Sequence, residues 1–128
     1  MTQEEKDLLL KDLCGRLPYG VKCYKITFKP ELAEEVICML RNGSHNCVQL
    51  GTFLYRLEHI KPYLFPLSSM TEEQSMEFAL LQVNTHKDGF LYVCDCANMM
   101  KWLLKNHFDI YGLIEKGLAI DATNLNIY

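Results

Sequence analysis

A chain of 128 residues, 49% hydrophobic and 23% charged, has room for one domain that buries roughly two thirds of its unfolded surface, so neither metal nor disulfide is required for folding and disorder along the whole length is excluded. The 13 Lys and Arg against 16 Asp and Glu leave a net charge of −3 with no block of like charge, which argues against nucleic acid as a first partner. No apolar run reaches the ~18 residues of a membrane span, and the start MTQEEKDLLLKDL is acidic where a secretory signal is basic. The expectation is a soluble cytoplasmic protein whose six cysteines stay reduced and act as small apolar side chains.

The first element carries a capping box, Thr2 with Glu5. Leu9, Leu10, Leu13 and Leu17 then recur near the helical period, which predicts an amphipathic helix from Gln3 to Arg16 closed by Pro18 and Gly20. Next, VKCYKITF at 21–28 alternates Tyr24, Ile26 and Phe28 with Cys23, Lys25 and Thr27, the pattern of a half-buried strand with one aromatic face.

Residues 30–50 support two readings. Pro30, the early carboxylates and apolar residues at 32, 33, 36, 37 and 40 fit a helix stopped at Asn42 and Gly43. The same Asn42 and Gly43 fit a two-residue turn between VICML and NCVQL, with Arg41 facing Ser44 and Cys38 opposite Cys47. A short extended piece, TFLYRL, precedes HIKPYLFPLSSMTEEQ at 59–74. There Pro62 and Pro66 stiffen the chain and hold Lys61 and Phe65 extended, so the stretch reads as a rigid connector with Tyr63, Leu64 and Phe65 as an apolar latch. Ser69 with Glu72 and Thr71 with Gln74 offer overlapping capping boxes for a helix to Val83 whose inner face is Met76, Leu80 and Val83.

NTHKDG at 84–89 reads as a polar loop and FLYVC at 90–94 as a short buried strand. Asp95 then caps a third helix with Met99, Met100, Leu103, Leu104 and His107 at helical spacing. Gly112 and Gly117 break the tail into one helical turn and a last extended segment near 118–121.

The blocks MTQEEKDLLLKDLCGRLPYGVK, IKPYL followed by PLSSMTEE, and WLLKNHFDIYGLIEKGLA resemble a family of small proteins of gut anaerobic bacteria and their phages or mobile elements, a family with no assigned activity, substrate or catalytic residue. The blocks cover about half of the chain. Phe65 stands where the family tends to carry Arg, and Ile110 with Tyr111 where Tyr and Arg are usual. Between the first two blocks the family is strand-rich, which implies the hairpin for residues 34–50.

Cys94, Asp95 and Cys96, with His86 and His107 on either side, are the nearest approach to a metal constellation. One residue between the cysteines is short of the usual zinc spacing, and a strand end with a helix cap explains the same residues. Six cysteines and four histidines make chance thiol and imidazole pairs easy to draw, and none lies in a recognisable catalytic signature. The carboxylate pairs Glu4–Glu5 and Glu72–Glu73 suit helix N-termini, and no glycine pattern forms a phosphate cradle. Catalytic, cofactor and metal residues are therefore expected to be none. Trp102, off the apolar stripe of the third helix, is the candidate interaction anchor.

The expected architecture is α+β: an N-terminal helix, a small antiparallel sheet over residues 21–57, two further helices, and short strands near 90–94 and 118–121. The expected function is that of a small intracellular accessory or protein-interaction protein of a bacterial or mobile-element genome, acting on an unknown partner or on itself. The alternatives are an enzyme using a Cys and His pair and a weak single-stranded nucleic-acid binder.

Overall fold

The Glu5 amide donates to Thr2 Oγ1 over 3.1 Å and the Thr2 amide donates to Glu5 Oε1 over 3.3 Å, so the expected capping box is formed. Helix α1 spans Gln3–Arg16. The computed structural model describes residues 1–25, 33–43, 45–85 and 93–128, with the side chains of 42, 82–85 and 93–96 outside that description. Leu9, Asp12, Leu13 and Arg16 form the buried side of α1, a spacing of three and four that keeps them on one face. A 3-10 turn at Leu17–Tyr19 ends it, and Gly20 follows at φ 79°. A Cβ at Gly20 would lie 2.6 Å from Glu35 Oε1, so left-handed backbone and close approach both call for glycine there.

The strands are β1 Lys22–Lys25, β2 Glu34–Asn42, β3 His45–Leu50, β4 Phe53–Arg56, β5 Ile60–Leu64 and β6 Ile120–Asp121. They form one sheet in the order β4-β3-β2-β1-β5-β6, antiparallel except where β6 runs parallel to β5. Helices α2, Glu72–Thr85, and α3, Val93–Lys105, complete an α+β fold. Leu9 and Leu13 of α1 pack with Val21, Cys23, Val48, Ile60, Leu64 and Leu113, all without solvent exposure.

The hairpin reading of 34–50 is correct, and its register is not the expected one. Asn42 pairs with His45 and Arg41 with Asn46. The turn thus falls between Asn42 and His45, where Gly43 at φ 65° supplies the positive φ that the first turn position of such hairpins requires. Moving the turn by one residue moves each partner by two. Cys38 therefore faces Gln49, with Sγ 3.2 Å from Gln49 Oε1, and Leu40 faces Cys47.

Other expectations need correction. The stretch read as a connector contains β5, bonded to β1 on one side and β6 on the other, because the extended backbone that proline enforces is also strand backbone. The residue of β1 that turns inward is Cys23, while Tyr24 is half-buried and packs edge-on to Tyr63; Ile26 and Phe28 lie outside the described residues. Thr71 and Gln74 form the second capping box at 3.0 and 3.1 Å, whereas Ser69 Oγ donates instead to the Pro66 carbonyl. Met76 and Leu80 are 68% and 64% exposed, so the inner side of α2 is Gln74, Phe78 and Leu81. Residues 93 and 94, expected to end a strand, begin α3, and Asp95 stands inside that helix rather than at its cap; the rest of the expected strand at 90–92 and the loop at 86–89 lie outside the described residues.

Candidate functional site

The most polar part of the interior joins α1 to the C-terminal third of the chain. Arg16 donates from Nε to Asp12 Oδ2 over 2.7 Å and from Nη2 to Asp12 Oδ1 over 3.0 Å, and both side chains are wholly buried. Nη2 also reaches the Phe108 carbonyl. Asp109 accepts from the amides of Leu113 and Ile114 at 2.9 and 3.0 Å. Burial pushes the Asp12 carboxyl up, against the opposing pull of Arg16. Such a pair, tied to the Phe108 carbonyl through Nη2 while the buried Nη1 has no hydrogen-bond partner, fixes the turn at 107–114 against α1.

An aromatic row extends from this point. Trp102 lies between Phe78 at 5.4 Å and Phe108 at 5.8 Å, both nearly parallel, and its Nε1 donates to Glu77. Phe65 continues the row to Tyr128, and Tyr128 stacks on His107 with centroids 3.6 Å apart. The Tyr128 hydroxyl donates to the Tyr63 carbonyl and accepts from the Lys22 amide. Trp102, expected as an interaction anchor, is partly exposed and stacks with Phe78 and Phe108 of its own chain. It holds α2 to the body of the molecule.

The thiols and imidazoles do not assemble into a nucleophile and base among the described residues. Cys23 is fully buried, and burial together with the Asp12 charge pushes its thiol up, the reverse of activation. His107 sits beyond the end of α3 at φ 64° with Nδ1 buried and unpartnered. Burial, reinforced by Arg16 and Lys22, lowers its pKa to about 4. His86 lies outside the described residues, as do the side chains of Cys94, Asp95 and Cys96. Beside the Lys25–Glu34 ion pair of 2.6 Å, a cleft of about 960 Å³ is lined by Leu50, Phe53, Tyr55 and His59. Its walls are chiefly apolar.

Among the described residues, two further exposed apolar surfaces, besides Phe53 in the cleft at 68% exposed, form the candidate site. Strand pairing places Leu40, Cys47 and Arg56 in one cross-strand row and Cys38, Gln49 and Leu54 in the next, on the sheet face opposite Val48 and Leu50. Leu40 and Leu54 are 44% and 46% exposed, and Ile37, at the irregularity in β2, is 57% exposed. The second face is the Met76 and Leu80 side of α2. Sequence reasoning missed both. A signal for the first lay in FLYR, apolar at both parities of a strand, and for the second in MEFALL, apolar on opposite sides of a helix.

Compared with known proteins, the chain matches no family model, no curated protein and no solved structure.

Proposed function

We propose that this is a small accessory protein that works by binding another protein chain through the outer face of β2–β4. The observation that carries the reading is the exposure of Leu40 and Leu54 on one face of β2–β4, with Ile37 exposed at the irregularity in the same strand as Leu40, since exposed apolar side chains grouped on a surface commonly mark a contact. The sheet's edge adds to it: β4 is a terminal strand that contains neither lysine nor proline, the usual guards of an unpaired edge. The enzymatic alternative is weakened by the condition of Cys23 and His107, whose environments oppose thiolate and imidazolium alike. A bacterial or mobile-element genome and residence in the cytoplasm belong to the same reading, supported by the resemblance of its sequence blocks and by the free thiols of Cys14, Cys23, Cys38 and Cys47.

Affinity capture from cells of the source tests it. Wild-type bait should retain a defined protein, and a bait carrying Leu40→Asp and Leu54→Asp should lose it while keeping a normal melting curve. Retention of nothing by the wild type, or retention unchanged by the two substitutions, contradicts the reading.

A further inference from the structure

Strand β4 ends the sheet beyond β3, and its register decides which of its backbone groups the sheet uses. Leu50 pairs with Phe53 across Gly51 and Thr52, and Gly51 stands at φ 61°, so the connection is a two-residue hairpin loop whose closing pair exchanges backbone bonds. Along an antiparallel ladder, bonded pairs alternate with unbonded ones. Phe53 and Tyr55 therefore turn their amides and carbonyls toward Leu50 and Val48. Leu54, opposite Gln49, turns its amide and carbonyl away from the sheet, and the Arg56 amide points the same way. Among the described residues nothing bonds to the outward amide or carbonyl of Leu54. Thr52, Phe53, Leu54 and Arg56 are all exposed, so this edge is open to solvent.

The space beside the edge has a definite shape. The cleft of about 960 Å³ is lined by every residue from 50 to 56, so it runs along β4 rather than across the sheet. On its inner side Phe53 and Tyr55 stand in cross-strand pairs with buried Leu50 and Val48. An outward row of alternating donors and acceptors selects its occupant. A helix satisfies its own backbone internally and would leave the Leu54 groups unpaired, whereas an extended backbone returns an acceptor and a donor at the matching spacing. Successive side chains of such a strand point to opposite faces. The residue opposite Leu54 then lies on the outer side, and its two neighbours enter the cleft beside Phe53 and Tyr55, where apolar or aromatic side chains fit best.

We propose that the β4 edge receives an extended segment of another protein, which adds to the sheet as a further strand through the Leu54 amide and carbonyl and the Arg56 amide, and lays two apolar side chains in the cleft. This rests on the binding reading above and names the kind of segment that is bound.

Selection of binders to the full chain from a phage-displayed library of random linear peptides tests the proposal, with the strongest binder then synthesised. Its apolar or aromatic residues should fall at alternate positions. In amide exchange followed by NMR, the bound peptide should slow the Leu54 and Arg56 amides by about tenfold or more, while those of Phe53 and Tyr55, already bonded to β3, change little. N-methylation of every second peptide residue should weaken binding by about tenfold or more, and methylation of the residues between should not. Leu54→Pro removes the outward amide and leaves the β3 ladder intact, a position where an edge strand accepts proline; it should melt as wild type does and lose the peptide. Absence of any selected binder, unchanged exchange at Leu54, or methylation effects that do not alternate overturns the proposal, whether or not Leu54→Pro folds. If a cellular protein lost by the Leu40→Asp and Leu54→Asp bait is still retained by a folded Leu54→Pro bait, the strand addition falls and the binding function stands; if the wild-type bait retains nothing, both fall.

Discussion

Arg16 and Asp12, one turn apart on α1, form a two-pronged ion pair at 2.7 and 3.0 Å with no solvent exposure on either side chain. Both partners are needed because each alone is an uncompensated buried charge. Asp12→Ala or Arg16→Ala should cost about 3–5 kcal/mol. Replacing both with apolar residues of matching size should cost much less than the two single losses added together. Urea denaturation of the three variants measures this, and equal, additive losses would show that the two side chains do not act as a pair.

His107 links stability to pH. Its folded pKa of about 4 lies below the ordinary 6.5, so the folded state favours the neutral ring. The resulting stabilisation is complete above the unfolded value and is lost as pH falls from about 6.5 toward 4. Arg16 and Lys22 face the ring with positive charge, and Tyr128 stacks on it. With part of the ring in solvent, the expected pH-dependent loss is about 1 kcal/mol. His107→Asn tolerates the left-handed backbone and should be less stable at pH 7, where the stacking is lost, with a flatter profile between pH 7 and 5. A profile as steep as wild type would assign the acid sensitivity elsewhere.

Thr71 accepts from the Gln74 amide and Gln74 returns the bond. Thr71→Ala should therefore lower stability by about 1 kcal/mol, with the earliest increase in amide exchange in the first turn of α2. Unchanged exchange there would mean that α2 is held by its packing on α3 alone.

The stacking of Phe78 on Trp102 is the described aromatic attachment of α2. Phe78→Ala should cost about 2 kcal/mol, and the fluorescence of the single Trp should become more accessible to iodide while α1 and the sheet keep their exchange protection. A quenching curve identical to wild type would place the shielding of Trp102 on Phe108 instead.

What the sequence made legible follows the range of its signals. Thr2 with Glu5 and Thr71 with Gln74 are contacts over three residues, and both form as read. The hairpin is not decided by Asn42 and Gly43, which serve a helix stop as well as a turn, and rests in the sequence on the resemblance alone; its register is not legible either, because a turn placed one residue later satisfies the same glycine and changes every partner. β5 was obscured by Pro62, which local rules keep out of an interior strand and which pairing with β1 and β6 nevertheless accommodates. The inner side of α2 was misassigned for a different reason: MEFALL offers two apolar sides, and the choice between them was made by Trp102, more than twenty residues further along. The candidate site was hidden in the same way. Exposure of Leu40 and Leu54 depends on which sheet face α1 covers, and that is a property of packing rather than of either strand.

Photocrosslinking in living cells tests most directly whether the outer face of β2–β4 is where this protein meets another chain. A photoreactive residue at position 40 or 54 should give a discrete protein adduct, while one at exposed position 116, in the C-terminal turn, should give none. Absence of adducts at 40 and 54, or equal yields at all three positions, would contradict the account.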